Sequence, residues 1–190
     1  MENSCPFCRD PVANTEEERF KKTEKRLKHG DREAFYMLGA GYYNGAGTLS
    51  LKQNRKKGLE LMNQAAELGL EMAHHSLGMA YAYGDEGEKN EKKALYHFRL
   101  AAIGGLLEAR HILGQSWLQR DPNMAYKHFL IAAEAGYDES LKEVKTGYAE
   151  GHVEKDVFEK ALRAHKAAKD EVKSEPRDKA AEWYRRHGPS

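Results

Sequence analysis

The sequence predicts an all-α fold of paired helices, and three observations predict it. A short block of residues returns along the chain, a second block follows each return, and the glycines and prolines fall where helices should end. The first block places Ala34, Leu38, Gly39, Tyr42 and Gly45 at positions that recur as Ala73, Leu77, Gly78, Tyr81 and Gly84. It recurs again as Ala109, Leu113, Gly114 and Trp117, with a worn fourth copy in Ser140, Val144, Tyr148 and Gly151. Repetition at such a spacing marks an array of small units that cannot bury their apolar faces alone.

Each element follows from local chemistry. Residues 16–29, with Phe20 and Leu27 facing inward and Gly30 closing it, read as a lone second helix ahead of the first full repeat. Ala34, Leu38 and Tyr42, at i, i+4 and i+8, line one face of a helix. Residues 58–69, 94–105, 125–136 and 161–168 form the second blocks, rich in the strong helix formers Ala, Leu, Lys and Glu. Gly69, Gly105 and Gly136 stand just past the apolar stripes, where a left-handed C-terminal cap is wanted. Pro6, Pro11, Pro122, Pro176 and Pro189 all lie outside the expected helix interiors. Length differences between copies fall between Gly45 and Gly58 and between Trp117 and Ala125, where loops belong. The fourth copy carries Lys145 in the glycine position, as suits a terminal repeat. Beyond Pro176, residues 178–187 read as a short closing helix with Trp183 against the last repeat.

The pattern Ala-x-x-x-Leu-Gly-x-x-Tyr-x-x-Gly, then Lys-Ala and Ala-Ala-x-x-Gly, resembles the Sel-one-like repeat, a relative of the tetratricopeptide repeat. The resemblance implies a right-handed α-solenoid of about four helix-pair repeats with capping helices. It divides the chain into residues 1–14, a finger remnant or disordered tail, residues 15–172, the repeats, and residues 173–190, a C-terminal cap or tail. Gly39, Gly78 and Gly114 are expected to let a neighbouring helix come close, with the aromatic one turn on filling the remaining gap.

Cys5 and Cys8 are the only cysteines, and C-P-F-C has the spacing of half a zinc site. Structural zinc takes four ligands, so the pair binds metal only within a complete finger. His97 and His128 share one repeat position and read as packing or surface residues, while His29 alone leaves a site short. Cys5-Pro6-Phe7-Cys8 resembles the last ligand pair of a RING finger, and the acidic run Glu16-Glu17-Glu18 agrees with a family in which such a finger precedes these repeats. Most of the finger's ligands are absent here. A chance CxxC, an intermolecular zinc site and a redox pair stand as alternatives.

Resemblance to tetratricopeptide arrays implies a concave surface lined by the first helix of each repeat. Mapped through the register, it gathers Tyr36, Ala40, Tyr43, Asn44, His75, Met79, Tyr83, His111, Gln115 and Gln119, then Lys142 and Glu143. Tyrosines, amides and a methionine can stack, donate hydrogen bonds and adapt, which suits a protein or peptide. Tyr43 and Tyr83 serve equally as fillers between repeats, and His75 and His111 read more readily as ordinary exposed helix residues than as groove residues.

Formal net charge is +1, which sets nucleic acid and anionic lipid aside as main partners. Basic residues of segment 16–29 alternate with glutamates, as on a solvated helix face. No apolar run approaches a membrane span, no signal peptide precedes the repeats, and two cysteines suit the cytoplasm or nucleus. No nucleophile elbow, HExxH or isolated carboxylate pair is present. The expected protein is therefore a monomeric, non-enzymatic interaction scaffold without a cofactor. The alternative is the substrate-recruiting portion of a RING-type ubiquitin ligase, with zinc only if the finger is complete.

Overall fold

The structure, a computed structural model, describes residues 15–45, 51–85, 87, 89–172, 182 and 185–186. Among the described residues there are nine helices and no strand, an all-α architecture of the repeat-solenoid class. The chain divides into two compact units, Met1–Asn90 and Glu91–Ser190.

The first unit holds α1 (Glu16–Lys28), α2 (Arg32–Asn44), α3 (Arg55–Glu67) and α4 (Glu71–Tyr83). A capping box starts α1: Glu18 N–H donates to the Thr15 hydroxyl at 3.2 Å, and Thr15 N–H to the Glu18 carboxylate at 3.4 Å. Three glutamates fill its first turn and three bases its last, both favourable to the helix dipole. Phe20 and Leu27 are half-buried, and Thr23 is the residue α1 buries most fully. α1 packs on α2, α2 on α3, and α3 on α4. The core of this unit is Met62, Ala65, Ala66, Leu70, Ala73 and Leu77, with Phe35, Tyr36, Ala40, Tyr43 and Leu59 against it.

Small residues set the closeness of α2 and α3. A Cβ at Gly58 would lie 2.7 Å from the Tyr43 nitrogen and 2.8 Å from the Gly39 oxygen. One at Gly39 would lie 3.0 Å from both the Gly58 oxygen and Met62 Cγ. The two backbones touch here, so no side chain fits between them.

The second unit holds α5 (Glu91–Ile103), α6 (Leu107–Trp117), α7 (Pro122–Glu134), α8 (Asp138–Ala149) and α9 (Lys155–Val172). Pro122 opens α7, where a missing N–H costs nothing, and the Asp121 carboxylate accepts from Met124 N–H at 3.1 Å. Phe129 is fully buried among Ala125, Tyr126, Ala133, Leu141, Val144, Val153 and Ala161. Burying such a ring contributes about 2–3 kcal/mol. A Cβ at Gly114 would meet the Phe129 ring at 2.5 Å, so the glycine here receives an aromatic side chain.

The fourth copy corrects one expectation. Lys145, in the glycine register, is exposed, but α8 has not lost its close approach. Gly147, two residues on, is buried, and a Cβ there would come within 2.2 Å of the Tyr126 ring of α7. The close contact has moved to the helix before, because Tyr126 is large where α3 and α5 carry Leu59 and Leu95.

One joint is used four times. Gly30, Gly69, Gly105 and Gly136 adopt φ of 75°, 79°, 98° and 96°, and each leads straight into the next first helix. In every case the following N–H reaches back five residues: Asp31 to Arg26, Leu70 to Ala65, Leu106 to Ala101, and Tyr137 to Ala132. These are Schellman closures, which need the left-handed backbone that glycine supplies. Of the expected closing helix 178–187, Trp183 lies outside the described residues.

Candidate protein-binding face

Within each unit, a polar side-chain contact ties one first helix to the next. In the first unit the Tyr36 hydroxyl of α2 is 3.3 Å from the Ser76 hydroxyl of α4. In the second, His111 Nδ1 of α6 is 3.0 Å from the Ser140 hydroxyl of α8. Tyr36, His75 and His111, which share one row, are each half-buried, and Tyr36 and His111 are turned partly toward the neighbouring first helix of their own unit. The His111 ring also packs on Phe129 and Tyr137, at centroid distances of 5.3 and 5.6 Å. Burial pushes its pKa down, against the opposing charges of Glu143 and Glu139, so the ring favours its neutral form.

Tyr43 belongs to a separate polar knot. Its hydroxyl donates to the Asp85 carboxylate, Arg55 sits over its ring at 5.6 Å, and Arg55 Nη1 is 3.8 Å from Asp85 Oδ1. Lys57 covers the Tyr42 ring at 3.9 Å. Tyr43 thus holds the start of α3 and the end of α4 together. Tyr83 is 64% exposed, and its ring is available to a ligand.

Asn44, Gln115, Gln119 and Lys142 are exposed, while Ala40, Met79 and Glu143 are half-buried. The outward stripe of each first helix includes positions that sequence reasoning missed. On α2 it runs Glu33, Met37, Ala40 and Asn44. On α4 it runs Met72, Ser76, Met79 and Tyr83. Met37 and Met72 are each 38% exposed. Met72 was detectable, because α2, α6 and α8 carry Glu33, Glu108 and Glu139 at its position. Among the first helices α4 is the one whose stripe has no charged residue. The stripe of α8, by contrast, presents Glu139, Glu143 and Glu150.

A family model described as the Sel1 repeat matches residues 33–70, 72–106, 110–137 and 175–186, together more than half the chain. The protein belongs to the Sel1 repeat family. Repeats of this family generally serve as protein-interaction scaffolds. The family match passes over α8 and α9 and takes its fourth segment nearer the C-terminus, which agrees with how worn the Ser140 copy is. A Sel1 repeat protein from Oxalobacter formigenes has a similar structure, with a TM-score of 0.62 and 27% identity over 67% of this chain and 98% of that one. So does c5321, a protective antigen of uropathogenic Escherichia coli with an SLR fold, at a TM-score of 0.70 and 23% identity. The latter alignment spans 95% of this chain but 39% of the longer antigen, and shows the fold alone.

Among the described residues no group of three or more His, Cys, Asp or Glu is placed to hold a metal. Cys5 and Cys8 lie outside the described residues. No described helix is long and apolar enough to cross a membrane.

Proposed function

We propose that this Sel1 repeat chain is a non-enzymatic adaptor whose first-helix faces bind a peptide or protein segment. The α4 stripe is the observation that supports this most. Met72, Met79 and Tyr83 give a neutral, adaptable surface, and such surfaces bind apolar segments through flexible thioethers and rigid rings. The α6–α8 face, with Gln115, Gln119 and its glutamates, suits a more polar or basic segment.

Recovery of partners from cell extract tests the reading. The parent chain should capture proteins that Tyr36→Ala/His75→Ala/Tyr83→Ala and Met72→Glu/Met79→Glu do not. Equal recovery by all three chains would count against the face. The adaptor works in the cytoplasm or nucleus, as a monomer and without a resident cofactor, a reading supported by its mixed charge and two cysteines. The ubiquitin-ligase version rests on Cys5-Pro6-Phe7-Cys8 and the acidic run Glu16-Glu17-Glu18 that follows it. Two thiolates cannot hold a finger, so the purified chain should be free of tightly bound zinc; six further Cys or His at RING spacing encoded upstream of Met1 would support this version, and a transcript without them would count against it.

A further inference from the structure

The outer ridge of α5 differs from that of every other second helix. Lys92, Tyr96, Arg99 and Ile103, at i, i+4, i+7 and i+11, form one line along it, and all four are exposed. Ile103 is 79% exposed and Tyr96 58%. The repeat register makes this informative. At the position of Tyr96 the other second helices carry Glu60, Lys127 and Arg163, and at that of Ile103 they carry Glu67, Glu134 and Asp170. A charged residue is thus the norm at both places, and α5 replaces both with large apolar side chains. Isoleucine and tyrosine left in water at i and i+7 gain nothing for the fold of this helix, whose core side is already filled by Ala94, Phe98, Ala101 and Ala102.

Charge on the ridge has one sign. Lys92 and Arg99 flank Tyr96, and neither has an acidic partner among the described residues. Glu91 lies off the ridge and is 3.4 Å from Arg120. On α9 the same line is neutralised internally, with Glu159 3.7 Å from Arg163. On α7, Glu134 is 3.4 Å from Lys160. The positive field near α5 reaches inward as well. His128 has its pKa lowered first by burial and then by Arg110 and Arg99.

From this pattern we infer that the α5 ridge is a second docking surface, carried by a second helix of a repeat rather than by the first helices of the adaptor face, for an acidic amphipathic segment. Leucine-like side chains of the partner pack on Tyr96 and Ile103, and its carboxylates, spaced three or four residues apart, meet Lys92 and Arg99. Apolar anchors supply the binding and the flanking bases supply charge selection.

Fluorescence anisotropy with two labelled helical peptides tests it: one repeating Leu-Glu-Glu-Ala, and a twin repeating Leu-Lys-Lys-Ala. The full chain should bind the acidic peptide and ignore the basic twin. Tyr96→Glu/Ile103→Glu, which installs residues that α3 already carries, should weaken binding by about tenfold or more, the scale of losing a buried aromatic anchor. Lys92→Glu/Arg99→Glu should do the same and reverse the preference between twins. Circular dichroism confirms that both variants keep their helices. Tyr36→Ala/His75→Ala/Tyr83→Ala should leave peptide binding intact, so a failure of the adaptor face and a failure of the ridge are separable. The inference falls if the parent chain binds neither peptide, if it binds both equally, or if the folded ridge variants bind as the parent does. It also falls if the ridge variants abolish a concentration-dependent dimer or phosphatidylserine-vesicle binding while leaving peptide affinity unchanged.

Discussion

The first unit joins its central helix pair by letting two backbones touch, whereas the second joins its pair by closing backbone over rings. In the α2–α3 pair both contact positions are glycine, Gly39 and Gly58, and the side chain between them is Met62. In the α6–α7 pair one position is glycine, Gly114, the other is Ala125, and the gap is filled by Phe129. Both pairs solve the same problem, since a helix must come close enough to leave no void. Two glycines and a methionine do it in one case, and one glycine, one alanine and a phenylalanine in the other. The same residue type in the same register therefore means different things. Gly58 protects a backbone contact, and Gly114 protects a ring.

The comparison is tested hardest at Gly58. Gly58→Ala puts a methyl group on rigid backbone that cannot give way, and should cost about 3 kcal/mol or prevent α2 and α3 from pairing. Urea unfolding read by far-ultraviolet dichroism measures this. The change is informative because α5, α7 and α9 carry Ala94, Ala125 and Ala161 at that position without harm. Gly114→Ala meets a side chain instead, and should cost about 2 kcal/mol. Phe129→Met copies the first unit's solution and leaves space, so Gly114→Ala/Phe129→Met should be more stable than the sum of the two single changes, by about 1 kcal/mol. Additive losses would show that ring and glycine are not coupled. Removing the α7 cap by Asp121→Ala should cost about 1 kcal/mol, visible as a shift in the unfolding midpoint.

The smallest effects are electrostatic. In the first unit Asp31 accepts from Arg26 Nε at 2.7 Å, and in the second Asp138 accepts from Lys169 Nζ at 2.6 Å, with His165 Nε2 at 3.0 Å from its other oxygen. Hydrogen bonding to these bases holds both carboxyls below the ordinary aspartate value. A depressed folded pKa means the contribution is full above the unfolded value and is lost as pH falls through the folded one. Asp138→Asn should therefore lower stability at neutral pH and converge with the parent as pH falls below about 4, so that the acid limb of the profile is flatter. A variant whose acid limb matches the parent's would remove Asp138 as its source.

Helix pairs and their order could be read from the chain because Ala, Leu and Gly return at fixed register, and a residue that must fit between helices has few alternatives. The stacked-helix reading of Ala34, Leu38 and Phe129 needed only that periodicity. Tyr43 was harder. Its partner Asp85 lies 42 residues away in a loop, and no local pattern connects the two. Gly147 was hidden for another reason: the register pointed to Lys145, and only the bulk of Tyr126 on the preceding helix explains why the close contact moved. The candidate face was legible by position but not by orientation. Sequence spacing identified the row of Tyr36, His75 and His111, and three-dimensional packing turned Tyr36 and His111 toward a neighbouring helix and brought Met37 and Met72 outward.

The four glycine joints carry a practical implication for protein engineering. Excising Leu106 through Gly136 would fuse Gly105 directly to Tyr137, and the new seam would have the same left-handed residue and the same style of entry into the following helix as the old ones. Shortened or lengthened versions of this polypeptide can thus be cut at these seams without inventing a linker, as modular parts that share one coupling.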